Sequence, residues 1–323
     1  MNVPQFKAVI VVPSIREKYL TEFLQVWQHE FANHHVIVVE DNPTNTFAVS
    51  AANVTHVSWA NINNDLGDNA WIIPRRTDCV RSYGYLLAYR MRPDMIVTLD
   101  DDCYPYSPDY LQTHWERLTV GYVQGWVSSG TGLQPRGMPY FSQTAQRKAV
   151  VNHGLWTNIA DYDAVTQLSR VRNGGEFIGT NQTIPIGSYY PMCGMNLAWL
   201  PEVTPAMYFL LMGQDYPYDR FGDIWSGLFV KRIADHLRVV VNSGVPYIEH
   251  KRASNVWMNL RKEATGLECN ETLWDRIDKI ELSSTDWATC YRELAEKFEP
   301  QSQYEEQMTK AMRIWSSLFI EST

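Results

Sequence analysis

Long hydrophobic runs and clusters of basic residues are both missing from the sequence. No apolar stretch in the 323 residues approaches the roughly 20 residues that a membrane-spanning helix needs. The chain carries 28 Lys and Arg against 36 Asp and Glu, a formal net charge of −8. It therefore lacks the basic surface on which DNA and RNA binding depend. We expect neither a membrane nor a nucleic acid as a partner.

Cysteine pairs and a leader sequence are lacking as well. The five cysteines are widely spaced and form no CxxC pair, so neither a zinc site nor a disulfide framework is indicated. Residues Met1 to Phe6 show neither the basic start nor the apolar core of a secretory signal. These features predict a soluble cytoplasmic protein with reduced thiols. The sequence leaves open whether it forms a homo-oligomer.

Glycine-rich phosphate loops are also missing. No GxxxxGK[ST] sequence occurs, and the GxG at Gly130-Thr131-Gly132 has neither a third glycine nor a following helical pattern. Phosphate binding by a P-loop or a Rossmann fingerprint is therefore excluded. A nucleotide would have to be held by carboxylates and a metal ion at a strand end, as in nucleotide-sugar enzymes.

The composition is that of a globular protein, with 45% hydrophobic residues and 13% aromatic residues. The aromatic side chains either fill the core or cover sugars or bases. Apolar runs and helical stripes alternate through residue 102. The apolar runs predict strands over residues 6–12, 35–39, 54–59 and 95–99, and a helical stripe predicts a helix over residues 75–91. This alternation predicts an α/β fold whose mostly parallel central sheet is flanked by helices, with a ligand site at the carboxyl ends of the strands.

The rest of the chain completes the predicted domain. Residues 120–200 indicate long loops and antiparallel strands, a helix is expected to begin near Asp223 with a strand following over Leu237 to Val241, and two amphipathic helices close the chain. We predict a single domain over residues 1–323. Its parts are a nucleotide- and metal-binding part (about 1–120), a sugar-binding part (about 121–260) and C-terminal helices (about 270–320).

Three consecutive carboxylates, Asp100, Asp101 and Asp102, follow the strand that ends at Leu99. They would repel one another unless a cation lies beside them. In an extended segment Asp100 and Asp102 point the same way, which suits Mg²⁺ or Mn²⁺. The alternative is a solvated acidic turn without a ligand.

Other charged residues are expected at the same edge of the sheet. Arg16 follows the first strand, Asp41 follows the second, and Arg81 lies on the helix before the three aspartates. Asp41 can accept from an N–H of a base, and Arg81 can pair with a diphosphate or with the aspartates, unless it forms only a surface ion pair.

Two further groups lie later in the chain. His250, at the end of a late strand, is either a third metal ligand or an ordinary edge histidine. Asp223 is either a helix N-cap or part of a sugar pocket together with Arg220 and Trp225.

Several segments, in the same order along the chain, resemble one known family; they are Val9–Arg16, Leu99–Tyr104, His153–Trp156, Asp161–Asp163, Pro191–Ala198, Pro205–Phe209, Pro246–His250 and Ala253–Asn255. This family is the reversibly glycosylated polypeptides, the plant-type UDP-arabinopyranose mutases. The resemblance implies a glycosyltransferase-A-like fold, a divalent metal ion, no flavin, and interconversion of a nucleotide-diphosphate sugar between its pyranose and furanose rings.

The residue patterns and the resemblance together predict roles for individual residues. The metal ligands are Asp100, Asp102 and His250. The nucleotide-binding residues are Pro13, Ser14, Arg16, Asp41, Arg81, Asp100 and Asp101. The catalytic residues are Asp223, Asp161, Asp163 and His153, and the sugar-binding residues are Trp156, Trp225, Asn196 and Arg220.

The chain departs from the family pattern at two positions. Asp223 matches the second of the family's paired aspartates, but the first is Gly222 here. The family's self-glycosylated arginine aligns with Thr144, and Arg147 is the nearest substitute. These departures favour a bacterial branch that resembles GDP-L-galactopyranose mutases, with UDP-L-arabinose as the next candidate substrate. The pathway is not indicated by any residue.

Two other functions use the same features. A glycosyltransferase that acts on a separate acceptor would need the same donor site. A nucleotide-sugar-binding scaffold without catalysis would be consistent with the missing arginine, although the three aspartates, His250 and Asp223 speak against it.

Overall fold

The computed structural model describes residues 6–49, 52–130, 132, 135–170, 179–251 and 255–320. The strands are β1 (Ala8–Ser14), β2 (His35–Glu40), β3 (Val54–Val57), β4 (Met95–Leu99), β5 (Cys103–Pro105), β6 (Gly121–Gln124), β7 (Thr144–Arg147), β8 (Ala149–Asn158), β9 (Gln182–Ile184), β10 (Asn196–Trp199) and β11 (Val240–His250). The helices are α1 (Glu17–Val26), α2 (Gln28–Phe31), α3 (Trp59–Leu66), α4 (Arg81–Arg90), α5 (Tyr110–Arg117), α6 (Ala164–Ser169), α7 (Gly222–His236), α8 (Val256–Asp278), α9 (Trp287–Lys297) and α10 (Gln303–Ser317).

A nine-stranded sheet forms the centre of the fold. Its order is β3-β2-β1-β4-β10-β8-β11-β5, and β9 pairs with β11. The first four strands are parallel, whereas β10 runs antiparallel to both β4 and β8. The α/β architecture with a central sheet flanked by helices is confirmed. The sheet is mixed: β11 pairs parallel with β8, whereas β10, β5 and β9 pair antiparallel with their neighbours.

Helices cover both faces of this sheet. Alternate residues of β1 enter two different cores: Val9 and Val11 pack with α4, α7, α9 and α10, while Ile10 and Val12 pack with α1 and α5. A strand that is buried on both faces reads as a continuous apolar run, which is why β1 is visible in the sequence.

The long helix predicted over residues 75–91 is wrong in its first part. Residues 78–80 form a short 3-10 turn and α4 begins at Arg81. The preceding loop is held by the side chain of Asp41, which accepts a hydrogen bond of 3.0 Å from the Arg76 backbone N–H. A contact between residues 35 positions apart is not visible in local periodicity.

The second half of the chain follows the expectations in part. α7 begins where predicted, near Asp223, and α9 and α10 match the two amphipathic stripes. The strand expected over Leu237 to Val241 is β11, which starts later and is much longer. α8 was missed because it buries few apolar side chains along its 23 residues.

None of the helices that the structure describes combines the length and the apolar character needed to cross a bilayer. All five cysteines are free thiols, and four of them are buried. The division of the chain into nucleotide, sugar and C-terminal parts stays a prediction.

Candidate active site

A cleft lies at the carboxyl ends of β1, β2 and β4. It consists of two cavities of about 830 Å³ and 430 Å³, which is the size range of small-molecule sites. Both cavities are lined by the same central residues: Ile15, Arg16, Arg76, Thr77, Asp78, Arg81, Asp100 and Lys262. The two cavities therefore form one elongated cleft with a shared middle.

Arg16 and Asp101 join the ends of β1 and β4. Asp101 is 2% exposed, and its carboxylate accepts hydrogen bonds from Ser14 Oγ at 2.5 Å and Arg16 Nε at 3.2 Å. Arg16 also reaches Asp102. Pro13, Ser14, Arg16 and Asp101 line the larger cavity as predicted, but the carboxylate of Asp101 mainly fixes Arg16.

Arg81 forms an ion pair with Asp100. The guanidinium is buried and donates to Asp100 Oδ1 at 2.5 Å and to the Gly194 carbonyl at 2.9 Å. It also contacts Thr98 Oγ1 at 3.2 Å. The structure thus selects the pairing of Arg81 with the aspartates over an exposed surface ion pair.

Asp100, Asp102 and His250 line the smaller cavity together. His250 Nδ1 donates to the Ile159 carbonyl at 2.9 Å, so Nε2, which lies 3.8 Å from Asp102 Oδ1, can present a lone pair. Burial, and then the charge of Asp100, raise the pKa of Asp102. A cation would relieve both effects, and the donor set suits a divalent ion.

The three side chains do not yet form a metal-binding cluster. Among the described residues, no group of three or more His, Cys, Asp or Glu side chains has the arrangement of a metal site. Asp100 is engaged by Arg81 and Asp102 by Arg16. Arg81 pairs with Asp100 through Oδ1 and Arg16 pairs with Asp102 through Oδ2, so a metal ion would be held by the other oxygen of each carboxylate or would displace the arginine.

Asp223 lines the smaller cavity and not the larger one. Its Oδ2 accepts from the Gly194 backbone N–H at 2.8 Å and its Oδ1 from the Ile224 N–H at 2.9 Å. The cap position of α7 is Phe221, so Asp223 is not the N-cap. Burial, then the charges of Asp78 and Asp161, raise its pKa to about 7. A carboxyl group with this pKa can both accept and donate a proton near neutral pH.

Asp161 and Arg220 lie in the same cavity, as predicted. Arg220 Nε donates to Glu263 Oε1 at 2.7 Å. The assignment of Asp163 to catalysis is not supported by its place in the structure. Asp163 is the N-cap of α6, where it accepts from the N–H and the hydroxyl of Thr166 at 2.9 and 2.8 Å.

Four other predicted side chains lie in the interior, away from the residues that line the cleft; they are His153, Trp156, Asn196 and Trp225. His153 shares a hydrogen bond of 3.0 Å with Ser243, and burial lowers its pKa to about 4. Trp156 packs edge-on against His153. These two positions support the sheet and do not face the cleft.

Asn196 and Trp225 have comparable structural roles. Asn196 Oδ1 accepts from Tyr110 OH at 2.7 Å, and its Nδ2 donates to the carbonyls of Leu155 and Pro246. Trp225 packs against Tyr218 and is 1% exposed. Neither side chain lines the cleft, so the structure offers no support for the sugar-binding role predicted for them.

Asp41 lines the larger cavity, but its carboxylate is occupied. Oδ1 accepts from Trp59 Nε1 at 2.7 Å and from the Arg76 N–H at 3.0 Å. Burial raises its pKa. Asp41 therefore holds the loop before α4, and its contact with a base stays a prediction.

Sequence reasoning missed three charged residues that line both cavities: Arg76, Asp78 and Lys262. The first two lie in a segment that was predicted as helix, and Lys262 lies on α8, whose sequence carries no apolar stripe that would have drawn attention to it. Only the four-residue polar run Arg75-Arg76-Thr77-Asp78 gave a signal.

The two departures noted in the sequence have different structural settings. A Cβ atom at Gly222 would lie 2.3 Å from Cys79 Sγ and 2.6 Å from the Phe209 carbonyl oxygen, so this backbone has no room for an aspartate. Thr144 and Arg147 are exposed at the ends of β7, which pairs with β6 in a separate two-stranded sheet. Neither lines the cleft.

Comparison with known proteins identifies the family. A family model described as "Reversibly glycosylated polypeptide" matches residues 5–114 and 127–322. UDP-arabinopyranose mutase 1 of Arabidopsis thaliana is 34% identical over 95% of this chain and 90% of its own length. UDP-arabinopyranose mutase 1 of Oryza sativa subsp. japonica is also 34% identical, over 95% and 88%.

A probable UDP-arabinopyranose mutase 1 of Zea mays is 38% identical over 82% of this chain and 75% of its own length. Among solved structures, one entitled "Crystal Structure of a Mycobacterial Protein" has a TM-score of 0.44 at 12% identity and covers 82% of this chain and 74% of that chain. Because the family model and these relatives match most of the sequence, the chain belongs to the reversibly glycosylated polypeptide family.

Proposed function

We propose that the protein is a mutase that interconverts the pyranose and furanose forms of a nucleotide-diphosphate sugar. The observation that carries the proposal is the position of Asp223, a carboxyl group with a raised pKa at one end of an elongated cleft. The names of the relatives, UDP-arabinopyranose mutases, give the reaction class.

The reaction moves one proton between two sugar hydroxyls. The bond from C1 to the phosphate oxygen breaks and the diphosphate leaves with the electron pair. O4 then attacks C1, the bond from C1 to O5 opens with its electron pair remaining on O5, and the diphosphate returns to C1. The net change is that O4 loses a proton and O5 gains one. Asp223 can accept the first proton and donate the second, because its pKa of about 7 matches neutral pH.

Asp161 and Arg220 belong to the same end of the cleft. Arg220 is oriented by Glu263, so its remaining N–H groups can donate to sugar hydroxyls. Asp161 can accept from a hydroxyl and orient it toward Asp223. These two residues replace the buried aromatic and amide side chains that the sequence suggested for sugar binding.

A divalent metal ion without flavin is part of the proposal. Asp100, Asp102 and His250 would hold Mn²⁺ or Mg²⁺, and their donor chemistry suits such an ion. When bound, the ion would stabilise the charge that develops on the departing diphosphate.

The base and the sugar are the finer part of the proposal. The names of the relatives point to UDP-L-arabinose. The absence of the family arginine at Thr144 and of the first paired aspartate at Gly222 favours a divergent substrate, GDP-L-galactose. Both nucleotide sugars therefore belong in the test.

The experiment is incubation of each nucleotide sugar with the protein and Mn²⁺, followed by chromatography and mass analysis. A mutase yields a new isomer of equal mass, and Asp223→Asn should lower its rate at least about 100-fold. Slow hydrolysis alone would indicate a glycosyltransferase that lacks its acceptor. Binding without any new product would indicate a scaffold.

A further inference from the structure

The arginines that line the cleft differ in what their guanidinium groups contact. Arg16 pairs with Asp101 and Asp102, Arg81 pairs with Asp100, and Arg220 pairs with Glu263. For the side chain of Arg76 the structure gives no carboxylate partner among the residues it describes, although Arg76 lines both cavities.

The backbone of Arg76 is held in an unusual conformation. Its φ is +58°, in the left-handed region that residues other than glycine and asparagine rarely adopt. Asp41, which is 7% exposed, accepts from the Arg76 N–H at 3.0 Å and from Trp59 Nε1 at 2.7 Å. A buried carboxylate thus stabilises a strained residue, a combination that is common at ligand sites.

Lys262 on α8 provides a second cation at the same place. It lines both cavities, and its Nζ lies 2.8 Å from Asp219 Oδ2. The Lys262 side chain is 46% exposed. Exposed ion pairs of this kind are weak, so Lys262 can exchange Asp219 for a stronger anion at little cost.

Arg76 and Lys262 lie where the diphosphate of a nucleotide sugar would be expected in the cleft. Asn42, Trp59 and Gln214 line only the larger cavity, whereas Asp161 and Asp223 line only the smaller one. If the sugar reacts beside Asp223, the nucleoside occupies the larger cavity and the diphosphate lies in the shared middle. This middle also contains Asp78 and Asp100, which would repel a diphosphate without added positive charge.

We propose that Arg76 binds the diphosphate of the substrate, and that Lys262 assists after leaving Asp219. The proposal rests on the proposed function, since it assumes a nucleotide-diphosphate ligand. Arg76 would hold the diphosphate during the interval in which it is not bonded to C1 of the sugar. A planar guanidinium suits this task because it can donate two parallel hydrogen bonds to phosphate oxygens.

The test is calorimetric titration with UDP, UMP and uridine and with GDP, GMP and guanosine, each in EDTA and with Mn²⁺. The variant is Arg76→Asn, since asparagine tolerates the left-handed backbone and removes only the cation. Arg92→Asn is the matched control, because Arg92 is an exposed arginine with φ +51° that does not line the cleft. Circular dichroism confirms that both variants fold.

Arg76→Asn should weaken binding of the preferred nucleoside diphosphate about tenfold and leave nucleoside binding unchanged. Arg92→Asn should bind all ligands like the wild type. Lys262→Gln should give a smaller loss that increases at low salt. Equal diphosphate affinity in wild type and Arg76→Asn would overturn the inference and leave the proposed function intact. Failure of the wild type to bind any of the six ligands would overturn both.

Discussion

Gly194 connects Asp223 with Arg81. The Gly194 N–H donates to Asp223 Oδ2 at 2.8 Å, and the Gly194 carbonyl accepts from Arg81 Nη1 at 2.9 Å. One peptide segment thus fixes the carboxyl group of Asp223 and the arginine that holds Asp100. A Cβ at this position would lie 2.7 Å from the Phe209 ring and 3.3 Å from Asp223 Cβ, so only glycine fits.

Gly194→Ala should therefore disturb both ends of the cleft. The added methyl group overlaps a buried ring, which typically costs about 1–3 kcal/mol of unfolding free energy, and it displaces Asp223. We expect a lower midpoint of denaturant unfolding and a larger loss of turnover than of nucleotide affinity. Gly130→Ala is the control, since a Cβ there meets nothing within 4 Å. Equal turnover in the two variants would show that Gly194 does not position Asp223.

Asp223 should make the protein less stable as the pH rises. Its pKa is raised from 3.8 to about 7 in the folded state, so the folded state binds the proton more strongly than the unfolded state does. The stabilisation is present at low pH and is lost between about pH 4 and pH 7. Asp223→Asn should lose less stability than the wild type over this interval, as measured by urea unfolding at several pH values. Parallel curves for the two proteins would contradict this.

Asp78 should control the protonation of Asp223. Its charge is one of the causes, after burial, that raise the pKa of Asp223. Asp78→Asn should therefore move the acidic limb of the pH–rate profile to lower pH, because Asp223 then ionises more easily. Asp68→Asn, at an exposed aspartate outside the residues that line the cleft, should leave the profile in place. An unchanged limb in Asp78→Asn would remove Asp78 from this role.

Metal removal should abolish turnover, and Mn²⁺ or Mg²⁺ should restore it. Asp102→Asn should weaken Mn²⁺ binding about tenfold or more, because a hard cation loses an anionic ligand. Glu249→Gln, beside His250 but paired with Lys251, should bind Mn²⁺ like the wild type. Titration followed by electron paramagnetic resonance measures both affinities. Full activity in excess EDTA would contradict the metal site.

The strands that carry the site are visible in the sequence because they are buried on both faces. β1 and β2 are apolar runs that end in a polar residue, and β4 is an apolar run followed by Asp100. Their parallel order places Arg16 and the three aspartates together. Asp223, Asp161 and Arg220, which the sequence suggested as site residues, line the smaller cavity. In each case a short-range pattern and the geometry of parallel strands were sufficient.

The remaining residues depend on contacts that no local pattern reveals. Asn196 and Trp225 are polar or aromatic residues within recognisable segments, yet their partners lie on distant elements of the interior. Arg76 was not predicted as a site residue, because its segment was predicted as helix. The segment is a loop, which the side chain of Asp41, just after β2, holds in place. Side chains that bind ligands and side chains that join elements are of the same types, and only the three-dimensional contacts separate them.

The most direct measurement of the proposed activity approaches its equilibrium from both sides. The pyranose and furanose forms of UDP-L-arabinose and of GDP-L-galactose are incubated separately with the protein and Mn²⁺, and the products are quantified by proton NMR. For one of the two nucleotide sugars, both starting forms should converge on the same mixture without loss of the diphosphate, and Asp223→Asn should slow both directions equally. Persistence of each starting form, or release of free sugar as the only change, would contradict the assignment of this protein as a mutase.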